Sequence, residues 1–133
     1  MPIYCGYFFE PAAVAACFPI PNGMKPVANP HVTLGFHRDF TETTLAAFVA
    51  AHYREGETRE ILVSGVCYNH QCVCLRVASD LHCFPEDRTL HVTLYLAKKV
   101  RPVYSNALLA DPTATNITFD TPIPLTGVFR VVS

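Results

Sequence analysis

Apolar and polar residues alternate over several short stretches of the chain, and this period of two is typical of strands buried on one face. Aromatic and β-branched residues are concentrated in the same stretches. The pattern predicts strands over residues 2–10, 32–36, 61–68, 72–77, 90–97, 117–119 and 125–132. A turn region around Pro122 and Pro124 is expected between the last two strands.

Three segments carry helical signals. Residues 11–18 are rich in alanine, with Pro11 in the first turn, where proline is tolerated. In residues 41–53 apolar side chains recur at 45, 48, 49 and 53 behind Thr41, a candidate N-cap. A third short helix is expected over 103–110. Residues 19–30 hold four prolines and an Asn-Gly pair, which predicts a loop.

Strands therefore outnumber helices, and no stretch between them resembles an interdomain linker. The sequence predicts one compact α+β domain over residues 1–133. Half of the residues are hydrophobic and 16% are charged, which suits a packed core rather than a disordered chain.

The charge balance narrows the function classes. The formal net charge is −1 and the longest basic stretch is 98–101, so a broad nucleic-acid-binding surface is not expected. A short nucleotide or an RNA end is still compatible, because one phosphate needs only a local site. No apolar stretch approaches the roughly 18 residues that cross a bilayer. The first residues also lack a signal-peptide pattern, so we expect a cytoplasmic protein that does not contact a membrane.

Six cysteines are present, and in a cytoplasmic protein we expect them to be reduced. The Cys and His residues between Cys67 and Cys83 leave two alternatives open, a zinc site and buried thiols across a hairpin. Their spacing follows a strand rather than paired CxxC motifs, which favours buried thiols and predicts no metal site.

The sequence His-Val-Thr-Leu occurs twice, at 31–34 and at 91–94, and self-similarity of this kind marks a repeated unit. Both copies fall in predicted strands, where side chains alternate between two faces. The Val and Leu of each motif then face the core. The other face carries His31, Thr33 and Gly35 on one strand and His91, Thr93 and Tyr95 on the other. Two such pairs favour catalysis or phosphate binding over isolated surface histidines.

These motifs resemble the 2H phosphoesterase superfamily, which carries two His-x-Thr/Ser motifs. The resemblance implies an α+β fold with two lobes, whose antiparallel sheets are related by a pseudo-two-fold axis around a central cleft that carries both motifs. The stretch from 91–94 through 103–106 is most similar to the branch of 2′,3′-cyclic-nucleotide phosphodiesterases and RNA-ligase-associated phosphodiesterase domains. Tyr95 departs from that branch, which often has a small residue there.

The residue types explain the chemistry. Splitting a phosphodiester needs a base for the oxygen nucleophile and an acid for the leaving oxygen, and two imidazoles supply both near neutral pH without a metal or other cofactor. Threonine hydroxyls can donate to the non-bridging oxygens. The resemblance implies these roles for His31, Thr33, His91 and Thr93. It favours His91 as the base, although the near-symmetric motifs permit either assignment.

Four further residues are candidate substrate contacts. Gly35 would let a substrate approach the first motif, with a β-bulge as the alternative. Tyr95 would stack on a base or else pack on the strand surface. Lys98 would attract a phosphate tail or else be a solvated strand end. Tyr7 belongs to the aromatic first strand.

Three functions follow from the resemblance and the motifs. The first is a monomeric enzyme that opens 2′,3′-cyclic phosphates of nucleotides, oligonucleotides or RNA ends. The second is hydrolysis of 2′-5′-linked oligoadenylates or cyclic oligonucleotide messengers, which counters antiviral signalling. The third is a module that binds an RNA end without turnover, and two complete motifs weigh against it.

Overall fold

The computed structural model describes residues 3–40 and 44–133. The strands in that part of the chain are β1 (Tyr4–Phe9), β2 (Met24–Pro26), β3 (His31–Phe36), β4 (Thr58–Tyr68), β5 (Cys72–Val77), β6 (His91–Ala97) and β7 (Thr115–Val132). The helices are α1 (Pro11–Ala15), α2 (Leu45–His52) and α3 (Tyr104–Ala110), and a 3-10 turn spans His37–Asp39.

The seven strands form one sheet with antiparallel pairings. Six of them close into a barrel in the order β6-β3-β1-β7-β4-β5, because β5 also pairs with β6. The short strand β2 lies against β6 outside this ring. The predicted α+β class is confirmed, but the described strands form a single closed sheet rather than the separate sheets expected for two lobes.

The main core fills the inside of the barrel. Its largest fully buried side chains include Tyr7, Val32, Leu34, Ile61, Leu75, Val92 and Phe129. A second cluster lies outside the barrel, between α3 and the hairpin of β4 and β5, and consists of Cys67, Cys72, Cys74 and Leu108. Alternation along β5 separates the two, since Val73 and Leu75 enter the main core. The side chains of α2 join the main core instead, so α2 and α3 cover different sides of the sheet.

The helix α2 follows the predicted spacing. Leu45, Phe48 and Tyr53 are buried as expected for its apolar side. Its N-cap is Thr44, whose Oγ1 accepts a hydrogen bond from the amide of Ala47 at 3.2 Å. The predicted cap at Thr41 lies outside the described residues, as does Pro2 of the predicted first strand. No helix within 3–40 or 44–133 is long and apolar enough to cross a membrane.

The C-terminal region forms one strand where two were predicted. Pro122 falls in a stretch that has no partner residue on β4, so its missing N–H breaks no ladder bond. Pro124 lies opposite Leu62, whose N–H donates to Oγ of Ser79 and whose carbonyl accepts from Ala78, both at 2.8 Å. Because the backbone groups of Leu62 point away from β7, the strand passes through Pro124 without losing a hydrogen bond to β4.

The predicted loop over 19–30 was wrong for Met24–Pro26, which forms β2. This strand pairs with the end of β6, so that Lys25 lies opposite Leu96. Only three residues pair, and the segment carries no alternation that a sequence pattern could detect.

Candidate active site

The two motifs lie side by side in the sheet. β3 and β6 are antiparallel neighbours with Val32 paired to Val92, and both valines are fully buried. Extending this register by one residue in each direction places each histidine across from the threonine of the other motif. The facing pairs are then His31 with Thr93 and His91 with Thr33. The two imidazoles lie on one diagonal, and diagonal neighbours in a sheet are about 7–8 Å apart, which leaves room for a phosphate group between them.

A β-bulge occurs at the same position of both motifs. Leu34 is the extra residue on β3 relative to β1, and Leu94 is the extra residue on β6 relative to β5. An extra residue shifts the alternation of faces by one. The histidine and threonine of each motif therefore share the outer face, whereas positions Gly35 and Tyr95 turn toward the core.

Each histidine ring is held by a nearby backbone carbonyl. Nδ1 of His31 lies 2.8 Å from the carbonyl oxygen of Asn29, and Nδ1 of His91 lies 3.0 Å from that of Thr89. A carbonyl oxygen only accepts, so Nδ1 carries the proton in both rings. Nε2 is then the nitrogen left for chemistry, as a base in the neutral ring and as an acid in the protonated ring.

The ring of His31 packs on aromatic side chains of β1. Its centroid lies 5.0 Å from the ring of Tyr4 and 4.7 Å from that of Phe8, and both pairs are stacked. Burial lowers the pKa of His31 below its ordinary value, while the hydrogen bond to Asn29 acts in the opposite direction. The neutral ring is therefore favoured in the free protein.

Burial also lowers the pKa of His91, against the effect of its hydrogen bond to Thr89. The positive charges of Arg88, His31 and Arg76 lower that pKa further. Because a proton on one imidazole disfavours a proton on the other, the pair takes up a single proton more readily than two.

Two arginines near His91 were not identified as site residues from the sequence. Arg76 pairs with His91 across β5 and β6, and its Nε and Nη2 donate to Oδ1 of Asn116 at 3.1 and 2.8 Å. Arg88 forms an ion pair with Asp39. The partner of Arg76 is an uncharged amide, so its positive charge is not neutralised there. An arginine inside the apolar stretch 72–77 was the signal that could have identified it.

The two threonines differ in their surroundings. Oγ1 of Thr93 lies 2.8 Å from Oγ of Ser105 on α3, and that oxygen lies 3.4 Å from Sγ of Cys72. Ser105 is fully buried, and Thr93 is 9% exposed. Thr33 is half-buried, and its side chain makes no hydrogen bond within the described part of the chain. The Thr93 hydroxyl is thus held in place and the Thr33 hydroxyl is free to rotate.

A cavity of about 350 Å³ lies next to the second motif. Its lining residues come from the 3-10 turn, the segment before β6 and α3: Asp39, Pro85, Arg88, Thr89, Asn106, Leu109 and Ala110. Because Arg88 and Thr89 lead directly into His91, this cavity gives a ligand space beside the histidines.

Three of the predicted substrate contacts lie in the core. Tyr7 is fully buried, with its ring packed edge-on against Phe129 at 5.5 Å. Tyr95 is 2% exposed and its hydroxyl donates to the carbonyl of Phe18 at 2.6 Å, so its ring has no face for a base. A Cβ on Gly35 would lie 3.0 Å from Cδ1 of Leu45. The alternative for Gly35, a β-bulge, is the arrangement found.

The prediction of buried thiols is confirmed for Cys67, Cys72 and Cys74, which are free and fully buried. Cys83 lies apart from them, in the main core. Among residues 3–40 and 44–133, no three His, Cys, Asp or Glu side chains are grouped so that they could hold a metal ion.

Comparison with protein-family models finds no match to this chain, and comparison with curated proteins finds none either.

Proposed function

We propose that this protein is a metal-independent phosphodiesterase that hydrolyses 2′-linked phosphodiesters of RNA ends or nucleotides, with opening of 2′,3′-cyclic phosphates as its reaction. The observation that carries the proposal is the antiparallel pairing of the two motifs at Val32 and Val92, which brings two imidazoles and two hydroxyls to one face. The similarity of the His-x-Thr pairs to those of the 2H phosphoesterases agrees with it.

The reaction uses the two Nε2 atoms as base and acid. His91 accepts a proton from water, and the water oxygen attacks phosphorus. The bond between phosphorus and one ribose oxygen breaks, and that oxygen takes the Nε2 proton of the His31 imidazolium. One water is added, and the two rings exchange protonation states. The lowered pKa of His91 supports this assignment, because burial and then the positive charges of Arg88 and Arg76 favour its neutral form, which accepts a proton.

Negative charge grows on the non-bridging oxygens as the nucleophile adds. The hydroxyls of Thr33 and Thr93 lie on the face of the imidazoles and are suited to donate to those oxygens. The guanidinium of Arg76, one strand away from His91, adds a positive charge at the same side of the site.

The proposal includes a pseudo-two-fold axis through the pair Val32–Val92, in one cytoplasmic, monomeric domain. The axis relates β3 to β6, β1 to β5 and β7 to β4, which are successive strands on the two sides of this pair around the barrel. Two features that occur in both motifs support this axis. Each motif has a bulge, at Leu34 or Leu94, and in each motif Nδ1 of the histidine donates to the carbonyl two residues earlier. The helices α2 and α3 do not follow it, since they cover different sides of the sheet.

Hydrolysis of 2′-5′-linked oligoadenylates or cyclic oligonucleotide messengers is a second candidate, because the same acid and base would serve. A panel of 2′,3′-cyclic mononucleotides, 2′-5′ oligoadenylate, cyclic dinucleotides and 3′-5′ RNA, assayed in excess EDTA, tests both. We expect turnover of a 2′-linked substrate in chelator. Binding without turnover of any of them would support the RNA-end module instead, and activity that needs added metal would contradict the two-histidine mechanism.

The pH dependence provides a further prediction. Because burial lowers the pKa of both His31 and His91, the bell-shaped profile of kcat/KM should have its maximum below pH 6.5. Loss of the imidazolium proton then explains the fall on the alkaline side. A bound phosphate favours the imidazolium, so the alkaline limb of kcat should lie at higher pH than that of kcat/KM. A value of kcat/KM that still rises above pH 8 would contradict this.

A further inference from the structure

A second cavity, of about 530 Å³, lies at the far end of β6 from the histidines. It is lined by Gly23, Lys25, Pro26, Val27, Leu96, Ala97, Lys98 and Lys99. The chain contains three lysines, and all three line this cavity. No carboxylate is among the lining residues, and none of the lysines forms an ion pair with a described acidic residue. Three unneutralised ammonium groups in a chain of net charge −1 suit a ligand with several negative charges.

Lys25 of this cavity lies on the same face of the sheet as the candidate active site. Lys25 pairs with Leu96, and paired residues of neighbouring strands point to the same face. Leu96 packs in the cluster beneath α3 together with Cys72. Ser105 joins that cluster to Thr93 through its hydrogen bonds, so Lys25 and Thr93 share a face. Five residues of strand separate His91 from Leu96, or about 17 Å.

Lys99 lines this cavity and has an unfavourable backbone conformation. Lys98 and Lys99 are the central residues of a turn closed by a hydrogen bond of 3.1 Å from the amide of Val100 to the carbonyl of Ala97. Lys99 has a φ of 68°, where glycine or asparagine is normally preferred. The chain therefore has a charged residue in the lining of the cavity at a position where a glycine would fold more easily.

We propose that this lysine cavity is a phosphate-binding subsite for an oligonucleotide whose reacting linkage lies between His31 and His91. The proposal rests on the proposed function and narrows its substrate class. A mononucleotide cannot reach both places, whereas a strand of a few nucleotides can place one of its phosphates in the cavity. Lys98, for which the sequence left open a contact with a phosphate tail and a solvated strand end, is one of three residues that would bind it.

The test compares a 2′,3′-cyclic mononucleotide with an oligonucleotide of about six nucleotides that ends in the same cyclic phosphate. Replacing Lys25, Lys98 and Lys99 together with glutamine should raise KM for the oligonucleotide about tenfold and leave kcat/KM for the mononucleotide unchanged. The slope of log KM against log salt should fall by about 0.7, the contribution of one neutralised phosphate on a single strand. Equal effects on both substrates, or no effect on either, would overturn the proposal.

Arg101→Gln is the matched control, because this exposed cation follows the turn but does not line the cavity. This change should leave KM and kcat/KM unchanged for both substrates. Lys99→Gly separates binding from folding. It removes the left-handed strain together with the charge, so the thermal midpoint should be equal or higher while KM for the oligonucleotide rises. A lower midpoint with unchanged KM would show that Lys99 serves the fold.

Binding measured without turnover separates this proposal from the proposed function. A labelled oligonucleotide with an uncleavable end is titrated with His31→Ala protein, and binding is followed by fluorescence anisotropy. The dissociation constant should rise when the three lysines are also replaced. If no substrate is turned over and this lysine dependence persists, the phosphodiesterase proposal fails and the subsite stands. Equal competition by inorganic tripolyphosphate and by the oligonucleotide would show a site for free polyphosphate, which would overturn the oligonucleotide proposal.

Discussion

Replacing His31 or His91 with alanine is expected to lower kcat/KM by about 10²–10⁴-fold, because each change removes a group that transfers a proton in the transition state. The double variant should be little slower than either single variant, since a base without its acid partner gives little acceleration. Steady-state kinetics on the best substrate of the panel, with the fold checked by circular dichroism, measures this effect. A folded variant of either residue that keeps more than half of the wild-type rate would rule out the two-histidine mechanism.

The chain supplies a matched control for loss of an imidazole. His52 on α2 stacks on His82 with ring centroids 4.2 Å apart, and both residues are exposed. His52→Ala removes the same chemical group from a second histidine pair, outside the strands that carry the motifs. Its kcat/KM should equal that of the wild type, so that a loss seen only for His31 and His91 is due to their place in the site.

The sequence was sufficient to predict the part of the site that depends on alternation within a strand. Val32, Leu34, Val92 and Leu94 are buried as predicted, and the histidine and threonine of each motif lie on the other face. The strength of this signal is its repetition, because each motif carries its own apolar positions. The pairing of β3 with β6 is a tertiary contact that alternation alone does not specify.

The predictions failed where local irregularity shifted the alternation. A bulge at Leu34 and another at Leu94 turn the next position of each strand inward, which explains why Gly35 and Tyr95 are not on the outer face. Glycine at position 35 left a bulge open as an alternative on β3, whereas no residue type beside Leu94 marks the second bulge in advance. Tyr7 was assigned to the site although it lies in a strand whose inner face fills the barrel.

The remaining residues of the site come from other elements, and this is why the sequence did not reveal them. Arg76 reaches His91 because β5 pairs with β6, and Ser105 reaches Thr93 because α3 packs outside the barrel. Neither contact follows from spacing along the chain. Only the closed sheet and the position of α3 bring these groups together.

Thr93→Val should lower kcat/KM by about 10²–10³-fold, as expected for loss of a preorganised donor to a developing oxyanion. Thr33→Val should have a smaller effect, because the Thr33 hydroxyl has no hydrogen-bond partner within the described residues and loses rotational freedom when it binds. Valine keeps the shape and both histidines, so the bell-shaped pH profile should persist at reduced height. Equal losses for the two variants would contradict the expected difference between the two hydroxyls.

The buried neighbours of Thr93 are the reason why we expect its hydroxyl to be the stronger donor. Burial raises the pKa of the Cys72 thiol, so it keeps its proton and can donate to Oγ of Ser105. Ser105 can then donate to Oγ1 of Thr93, which leaves the Thr93 proton for a phosphoryl oxygen. If Thr93 donated to Ser105 instead, its proton could not bind a phosphoryl oxygen. A bound anion therefore favours the arrangement in which Ser105 donates to Thr93, and each hydrogen bond polarises the next.

Substrates with one non-bridging oxygen replaced by sulfur test this directly, because sulfur is a weaker acceptor. The wild type should prefer one phosphorothioate diastereomer, and Thr93→Val should abolish that preference. Ser105→Ala should reduce the preference and lower kcat/KM by about tenfold, with no further loss in the Thr93→Val background, since both changes remove the same interaction. Cys67→Ala, in the same buried cluster, should change neither quantity. If the effects of Ser105→Ala and Thr93→Val multiply instead, Ser105 does not act through the Thr93 hydroxyl.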